Sequence, residues 1–311
     1  ALEKDTTTLD DSIQARGLPN YLADIAISPD GQSAWVSSKK DNIERGIFRD
    51  NKSLTFESTV RAIVAKVDLT QNPPVITEID MDNSAQPSAV AFSPYGDYVF
   101  VALQGNNLVH VFDTFSDALI TSFDTELAPQ GMTFDSDTNK LYIKNLNSRS
   151  VTIYDLDASL RGGWGNIQAP VHVATTADEE LSANVLAGKQ IFYNASDERM
   201  SRNAYLNCAV CHQDGDHDGR TWDFTDRGEG LRNTTNLRGR AGMAHGNVHW
   251  SGNFDEIQDF EFDIENFFEG TGFADGPAND PDGPSNAGSG SDPIDQLAAY
   301  VASLGQDSIE F

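Results

Sequence analysis

The feature that most constrains this chain is a repeat in its first half. Asp24-Ile25-Ala26-Ile27-Ser28-Pro29-Asp30-Gly31 leads into Ser33-Ala34-Trp35-Val36-Ser37. Ser88-Ala89-Val90-Ala91-Phe92-Ser93-Pro94-Tyr95-Gly96 leads into Tyr98-Val99-Phe100-Val101-Ala102, and Gln130-Gly131-Met132-Thr133-Phe134-Asp135 into Lys140-Leu141-Tyr142-Ile143. Each is a short apolar strand, a Ser-Pro-x-Gly or Asp-rich turn, then a second strand of β-branched and aromatic residues. A third strand ends each unit, at 65–69, 108–113 and 151–156. From Phe92 to Phe134 the period is 42 residues, the length of one β-propeller blade. Residues 1–175 are therefore expected to be all-β, as a partial propeller of three blades with a fourth begun by Val171-His172-Val173. The first unit is longer, and its excess at 44–61 reads as a loop projecting from one face.

This half resembles the YncE-like and WD40-like propellers, which share the Ser-Pro-Asp-Gly turns. Three or four blades carry a consequence. A ring needs at least four blades, and an open stack leaves an apolar blade face and strand edges bare. Self-association, or missing blades in a longer parent, is the expectation. His110 and His172 fall in strands and read as surface or half-buried side chains.

At 311 residues the chain has room for two domains. Its net charge of −27 argues against nucleic acid and against anionic membranes, both of which need cationic patches. No apolar run approaches the roughly 20 residues that span a bilayer, so no membrane insertion is expected. No basic, apolar, cleavable segment opens the sequence, which fits a cytoplasmic protein or a processed secreted one.

The cysteines choose between these. Both lie in Cys208-Ala209-Val210-Cys211-His212, a c-type haem attachment pattern. Two thiols at this spacing match the two vinyl groups on one porphyrin edge. The histidine that follows at once becomes the proximal iron ligand. The rivals are a thioredoxin-like pair, which wants a strand before it and a helix after it, and a zinc site, which lacks a second cysteine pair. One covalent haem c is expected. Because haem c is attached outside the cytoplasmic membrane, the expected location is periplasmic or extracellular.

Residues 176–311 are expected to form an all-α c-type cytochrome domain. Leu186, Gly188, Ile191 and Phe192 recur at helical spacing ahead of the haem motif. A Gly-x-x-x-Phe/Tyr helix is how such domains open. A closing helix over 294–305, with Leu297, Tyr300, Val301 and Leu304 as its stripe and Gly305 as its stop, is how they end.

The stretch between resembles the bacterial di-haem cytochrome c peroxidase family, including the methylamine-utilisation enzymes. The matching segments are Leu231-Arg232-Asn233-Thr234-Thr235-Asn236-Leu237, His249-Trp250-Ser251-Gly252-Asn253 and the acidic Phe254-Asp255-Glu256-Ile257-Gln258-Asp259-Phe260-Glu261. The resemblance implies that Trp250 relays electrons between haems, with a core tryptophan as the alternative. It implies that Glu261 or Glu265 assists peroxide cleavage, with a solvated helix face as the alternative. Two departures weigh against peroxide turnover. There is no second C-x-x-C-H, and Gly228 stands where the family carries a distal histidine.

Three functions follow. The first is an electron-transfer cytochrome serving a redox partner protein or a second haem domain. The second is a peroxidase-type enzyme with an open distal site. The third is a haem-bearing propeller binding module. For the distal iron ligand the segment at 242–250 supplies Met243, His245 and His249, and His249 is preferred. Arg232 and Arg238 suit haem propionates because guanidinium forks match carboxylates. Asp214, Asp216 and Asp218 have the D-x-D-x-D-G form of a calcium loop but lack its closing glutamate, so a solvated acidic turn competes with calcium.

Overall fold

The computed structural model describes residues 2–11, 13–43, 55–225, 228–239, 246–274 and 292–305. The chain divides into two compact units. Unit one holds Ala1–Lys4, Leu18–Lys40 and Arg61–Glu179, and unit two holds Asp5–Gly17, Asp41–Val60 and Glu180–Phe311.

Unit one is three β-propeller blades. The first is β1 (Leu18–Ile27), β2 (Ser33–Asp41), β3 (Val60–Asp68) and β4 (Val75–Met81). The second is β5 (Pro87–Phe92), β6 (Tyr98–Leu103), β7 (Leu108–Asp113) and β8 (Leu119–Asp124). The third is β9 (Pro129–Asp135), β10 (Lys140–Asn145), β11 (Ser150–Asp155) and β12 (Val171–Ala174), with helix α1 (Asp157–Gly162) between the last two strands. Val171-His172-Val173 thus pairs with Val151-Thr152-Ile153 as the outer strand of blade three, and begins no fourth blade.

Period-two alternation explains the stacking. Along β6, Val99, Val101 and Leu103 join a core with Trp35, Val64 and Phe112 toward blade one. The intervening Phe100 and Ala102 join Leu141, Ile143 and Tyr154 toward blade three. A sheet buried on both faces needs an unbroken apolar strand, which is what 98–103 is. The repeat also shows in single hydrogen bonds. The Asn106 side chain accepts from Ala85 N–H at 2.6 Å, and Ser148 Oγ accepts from Leu127 N–H at 2.8 Å, each pair 21 residues apart. Ser28 and Ser93 both accept, through Oγ, from the first strand residue beyond their turn, at 3.0 Å.

Among the described residues the two outer blade faces differ. Blade three exposes Val171 and Val173 on the face away from blade two. On blade one, Ala34, Val36, Ile63 and Ala65 alternate with the residues that face blade two, yet all four are buried. Its bare apolar residues lie on the outer strands and a turn: Leu22, Ile25 and Ile27 on β1, Val75 on β4 and Leu69 after β3.

The excess read as a projecting loop is partly a packed element. Residues 44–54 lie outside the described residues, but Phe56, Glu57, Ser58 and Thr59 are buried. Within unit two the Phe56 ring meets Phe268 edge-on at 4.8 Å. Arg202 pairs with Glu57 at 3.1 Å, and Arg220 with the fully buried Asp41 at 3.1 Å.

Unit two is not purely helical. Its helices are α2 (Ala183–Phe192), α3 (Phe260–Asn266) and α4 (Pro293–Ser303), joined by short 3-10 turns. A hairpin of β13 (Thr221–Phe224) and β14 (Gly230–Asn233), unforeseen in an all-α reading, lies between them. Helix α2 starts where Ser182 Oγ accepts from Val185 N–H at 3.4 Å. It crosses α4 at Gly188, where a Cβ would stand 1.7 Å from the Gln296 carbonyl oxygen. One turn on, Phe192 packs edge-on against Tyr300 at 5.1 Å. No helix of the described residues is long and apolar enough to cross a membrane.

Candidate functional site

The Cys-x-x-Cys-His stretch is a 3-10 turn at Cys208–Val210, followed by a second at Gln213–Gly215. Asn207 opens the first: its side-chain oxygen accepts from Val210 N–H at 3.0 Å, while its amide donates to Tyr193 O at 2.9 Å. His212 N–H closes the turn on Cys208 O at 3.0 Å. Both cysteines are thiols and both are half-buried. Burial pushes the Cys208 thiol up to about 12. A redox-active pair of the thioredoxin kind needs the opposite shift, and a strand before the motif with a regular helix after it. Neither element is here.

His212 Nδ1 lies 3.2 Å from the Asp216 carbonyl oxygen. A carbonyl only accepts, so Nδ1 carries the proton and Nε2 the lone pair. The turn that sets this up is tightly held. Tyr193 donates its hydroxyl proton to Asp214 Oδ1 at 2.9 Å and accepts from Asp214 N–H at 3.0 Å. Burial, with Tyr300 and Asp214 nearby, keeps that hydroxyl protonated. Leu304 presses on Gly215, where a Cβ would come within 2.8 Å of its side chain. Gly215 has φ +75, so it alone meets both the space and the backbone requirement.

The three aspartates after the motif face protein donors. Asp216 accepts from Asn236 Nδ2 at 2.7 Å and Arg238 Nη1 at 3.2 Å, and Arg238 Nε reaches Asp214 O at 2.8 Å. Asp218 is buried, which corrects the solvated-turn reading for that residue. It accepts from Arg220 N–H at 3.0 Å, Thr234 Oγ1 at 2.6 Å and Trp222 Nε1 at 3.2 Å. Among the described residues no three His, Cys, Asp or Glu side chains gather as a metal would require. Arg238 is thus engaged with this loop.

A second group lies on and beyond β14. His249, at φ +67, stacks on Phe254 with ring centres 4.9 Å apart. Its Nδ1 is 2.9 Å from Asn253 Oδ1 and 3.3 Å from Glu229 Oε1. Arg232 Nε stands 3.9 Å from the other Glu229 oxygen, so Arg232 and His249 share one carboxylate. Trp250 is 51% exposed and donates Nε1–H to the Asn233 carbonyl, which removes the core-tryptophan alternative. Met243 and His245 lie outside the described residues. Glu229 has no place among the sequence motifs, and Asn253 enters them only as the end of the 249–253 segment. Glu229 carried one usable signal, its i,i+3 spacing to Arg232.

Glu261 is fully buried on α3, against the expectation of a solvated face. Its Oε1 accepts from Phe273 N–H and, at 2.8 Å, from Ala274 N–H. Its Oε2 has no hydrogen-bond partner among the described residues. Burial raises its pKa and Glu265 adds to the rise, while the two N–H donors and Arg199 oppose it. A Cβ at Gly272 would lie 2.3 Å from Glu261 Oε1 and 2.5 Å from Glu265 Oε1. Glu261 therefore pins the 273–274 backbone, and Glu265 stands beside it at Gly272.

Comparison with known proteins bears on unit one. No curated protein matches the chain. The hydrazine synthase of Kuenenia stuttgartiensis is 17% identical over 43% of this chain and 45% of that one, with a TM-score of 0.39. The WD40 repeats of RRP9 are 13% identical over 55% and 44%, with a TM-score of 0.35. A functionally unknown protein of Desulfotomaculum acetoxidans is 16% identical over 48% and 55%, with a TM-score of 0.32. The chain thus spans about half the length of these structures. Residues 52–177 match the family model described as lactonase, 7-bladed beta-propeller, and the three blades of unit one are propeller blades.

Proposed function

We propose that this chain is an electron-transfer protein of the space outside the cytoplasmic membrane, carrying one covalent haem c in unit two. The observation that carries the reading is the Cys208-x-x-Cys211-His212 turn, with His212 held at Nδ1 by Asp216 so that Nε2 is its ligating atom. The Cys208 and Cys211 sulfurs would hold the porphyrin edge, and His212 Nε2 the iron. A bound haem supplies a one-electron iron couple. The chain's own residues orient it: Tyr193, Arg238 and Leu304 fix the loop that carries His212. The α2–α4 crossing at Gly188 and Tyr300 supports the cytochrome-like reading of unit two.

His249 is our choice for the second axial ligand, because Nδ1 faces Asn253 and Glu229 and its ring is set against Phe254. Two histidines hold a haem at lower potential than histidine with methionine. The test is direct. Denatured protein should keep its haem through acid-acetone extraction, and Cys208→Ala with Cys211→Ala should abolish this. Freely extracted haem overturns the proposal. His249→Ala should shift a low-spin ferric spectrum to high-spin, and an unchanged spectrum removes His249.

A second reading, peroxide reduction, draws on Glu261, a buried carboxyl whose raised pKa suits a proton donor. A high-spin wild-type spectrum would favour it. As partners we propose a redox protein or a second haem domain. For the exposed Val171 and Val173 of blade three we propose a further blade, from a second copy or a longer parent chain.

A further inference from the structure

The strands of each blade alternate in direction, so the turns after β1, β3, β5, β7, β9 and β11 all emerge at one end of unit one. These turns touch across blades. A Cβ on Gly96 would lie 3.0 Å from the Pro29 ring. Lys66 Nζ reaches Thr114 O at 2.7 Å, and the Thr114 hydroxyl donates to Gly96 O at 2.6 Å. This end carries the two most exposed aromatic side chains among the described residues, Tyr95 at 92% and Phe115 at 84%. They sit on adjoining turns, after β5 and β7.

Neither ring is loosely held at its base. Asp113 Oδ1 accepts from Phe115 N–H at 3.0 Å, Ser116 N–H at 2.8 Å and Ser116 Oγ at 2.9 Å. Thr114 N–H donates to Asp97 O at 3.0 Å, which locks the Phe115 turn onto the Tyr95 turn. The same end carries Asp68, Asp113, Asp135, Asp137 and Asp155, one or two at the end of β3, β7, β9 and β11 or on the turn that follows. Hydrogen bonds from Thr70, Ser116 and Thr138 hold the carboxyls of Asp68, Asp113 and Asp135 below the usual range, so they stay ionised in mild acid. Two neighbouring cations are already paired, Lys66 with Asp117 at 2.6 Å and Arg161 with Asp157 at 2.9 Å.

We propose that this end of the propeller unit is a docking surface for a cationic protein, whose apolar centre packs on Tyr95 and Phe115 inside the ring of aspartates. Preset turns lower the ordering cost of binding, and aromatic anchors with complementary charge around them are the usual composition of a specific contact. The same charge excludes other occupants. An anionic bilayer and a nucleic acid would both be repelled from this ring of aspartates.

The experiment uses the full chain and a synthetic peptide of about 18 residues with lysines flanking a central Leu-Trp pair, its binding followed by fluorescence anisotropy. The wild type should bind it, less tightly as salt rises. Tyr95→Ser with Phe115→Ser should lose about tenfold or more in affinity. Its melting curve should not change, since both rings are solvent-exposed. Asp137→Asn with Asp155→Asn should flatten the salt dependence. Equal binding by the Tyr95/Phe115 double variant would mean diffuse attraction to net charge, and would overturn the proposal. So would equal binding of a peptide with glutamates in place of the lysines.

Discussion

Unit one and unit two reach stability by different routes. In the blades, contacts recur one repeat apart: Asn106 with Ala85, then Ser148 with Leu127. In unit two the decisive contacts occur once. Gly188 lets two helices touch, and Asp218 collects an indole, a hydroxyl and a backbone N–H. A repeated contact spreads the load, whereas a single contact concentrates it. The same kind of substitution should therefore be absorbed in unit one and damaging in unit two.

The largest contrast is between glycines. Gly188→Val should prevent α2 from packing on α4, because the added atoms fall inside the Gln296 carbonyl. We expect about 3 kcal/mol or more of destabilisation, or no folded unit two, read by thermal unfolding. Gly131→Ala, where nothing lies within 4 Å of the new Cβ, should leave the melt unchanged. If both variants behave alike, the contrast between units is wrong.

The next contrast is between aspartates. Asp218→Ala removes a buried acceptor shared by Trp222, Thr234 and Arg220, although Trp222 keeps Thr234 Oγ1 at 3.0 Å, and should cost about 1–3 kcal/mol in denaturant titration. Asp135→Ala removes a turn bond from Thr138 at an exposed site and should cost far less.

The smallest effect is a titration within unit one. Burial lowers the His110 pKa from 6.5 to about 4. The unfolded chain then binds a proton that the folded chain refuses. The contribution is intact above pH 6.5 and falls as the pH drops toward about 4. Melts across that window should steepen in wild type relative to His110→Gln, and parallel curves would remove His110 as the cause.

Legibility followed the same division. The blades could be read because alternation and turn chemistry report backbone directly: Ser28, Ser93 and Asp135 sit in turns as their types require. Register with neighbours was less visible, so Val171–Ala174 passed for a new blade when α1 had merely lengthened the connection to the third. In the candidate site, the Cys208–His212 spacing and Gly188 were legible as local patterns. The burial of Glu261 and Asp218 was not, because carboxylates read as solvated until a distant donor is known. Phe273 and Ala274 lie twelve and thirteen residues beyond Glu261, and nothing periodic links them.

The partition of the chain also bears on the order in which structure can form. Arg220 reaches Asp41 across 179 residues, and Arg202 reaches Glu57 across 145. Arg61–Glu179 of unit one lies between these partners in the chain, and its repeated bonds close loops of only 21 residues. Short loops close at lower entropic cost and sooner. During synthesis the blades can assemble strand by strand as they emerge, while the 41–60 segment waits for its partners. Unit two is in this sense completed last.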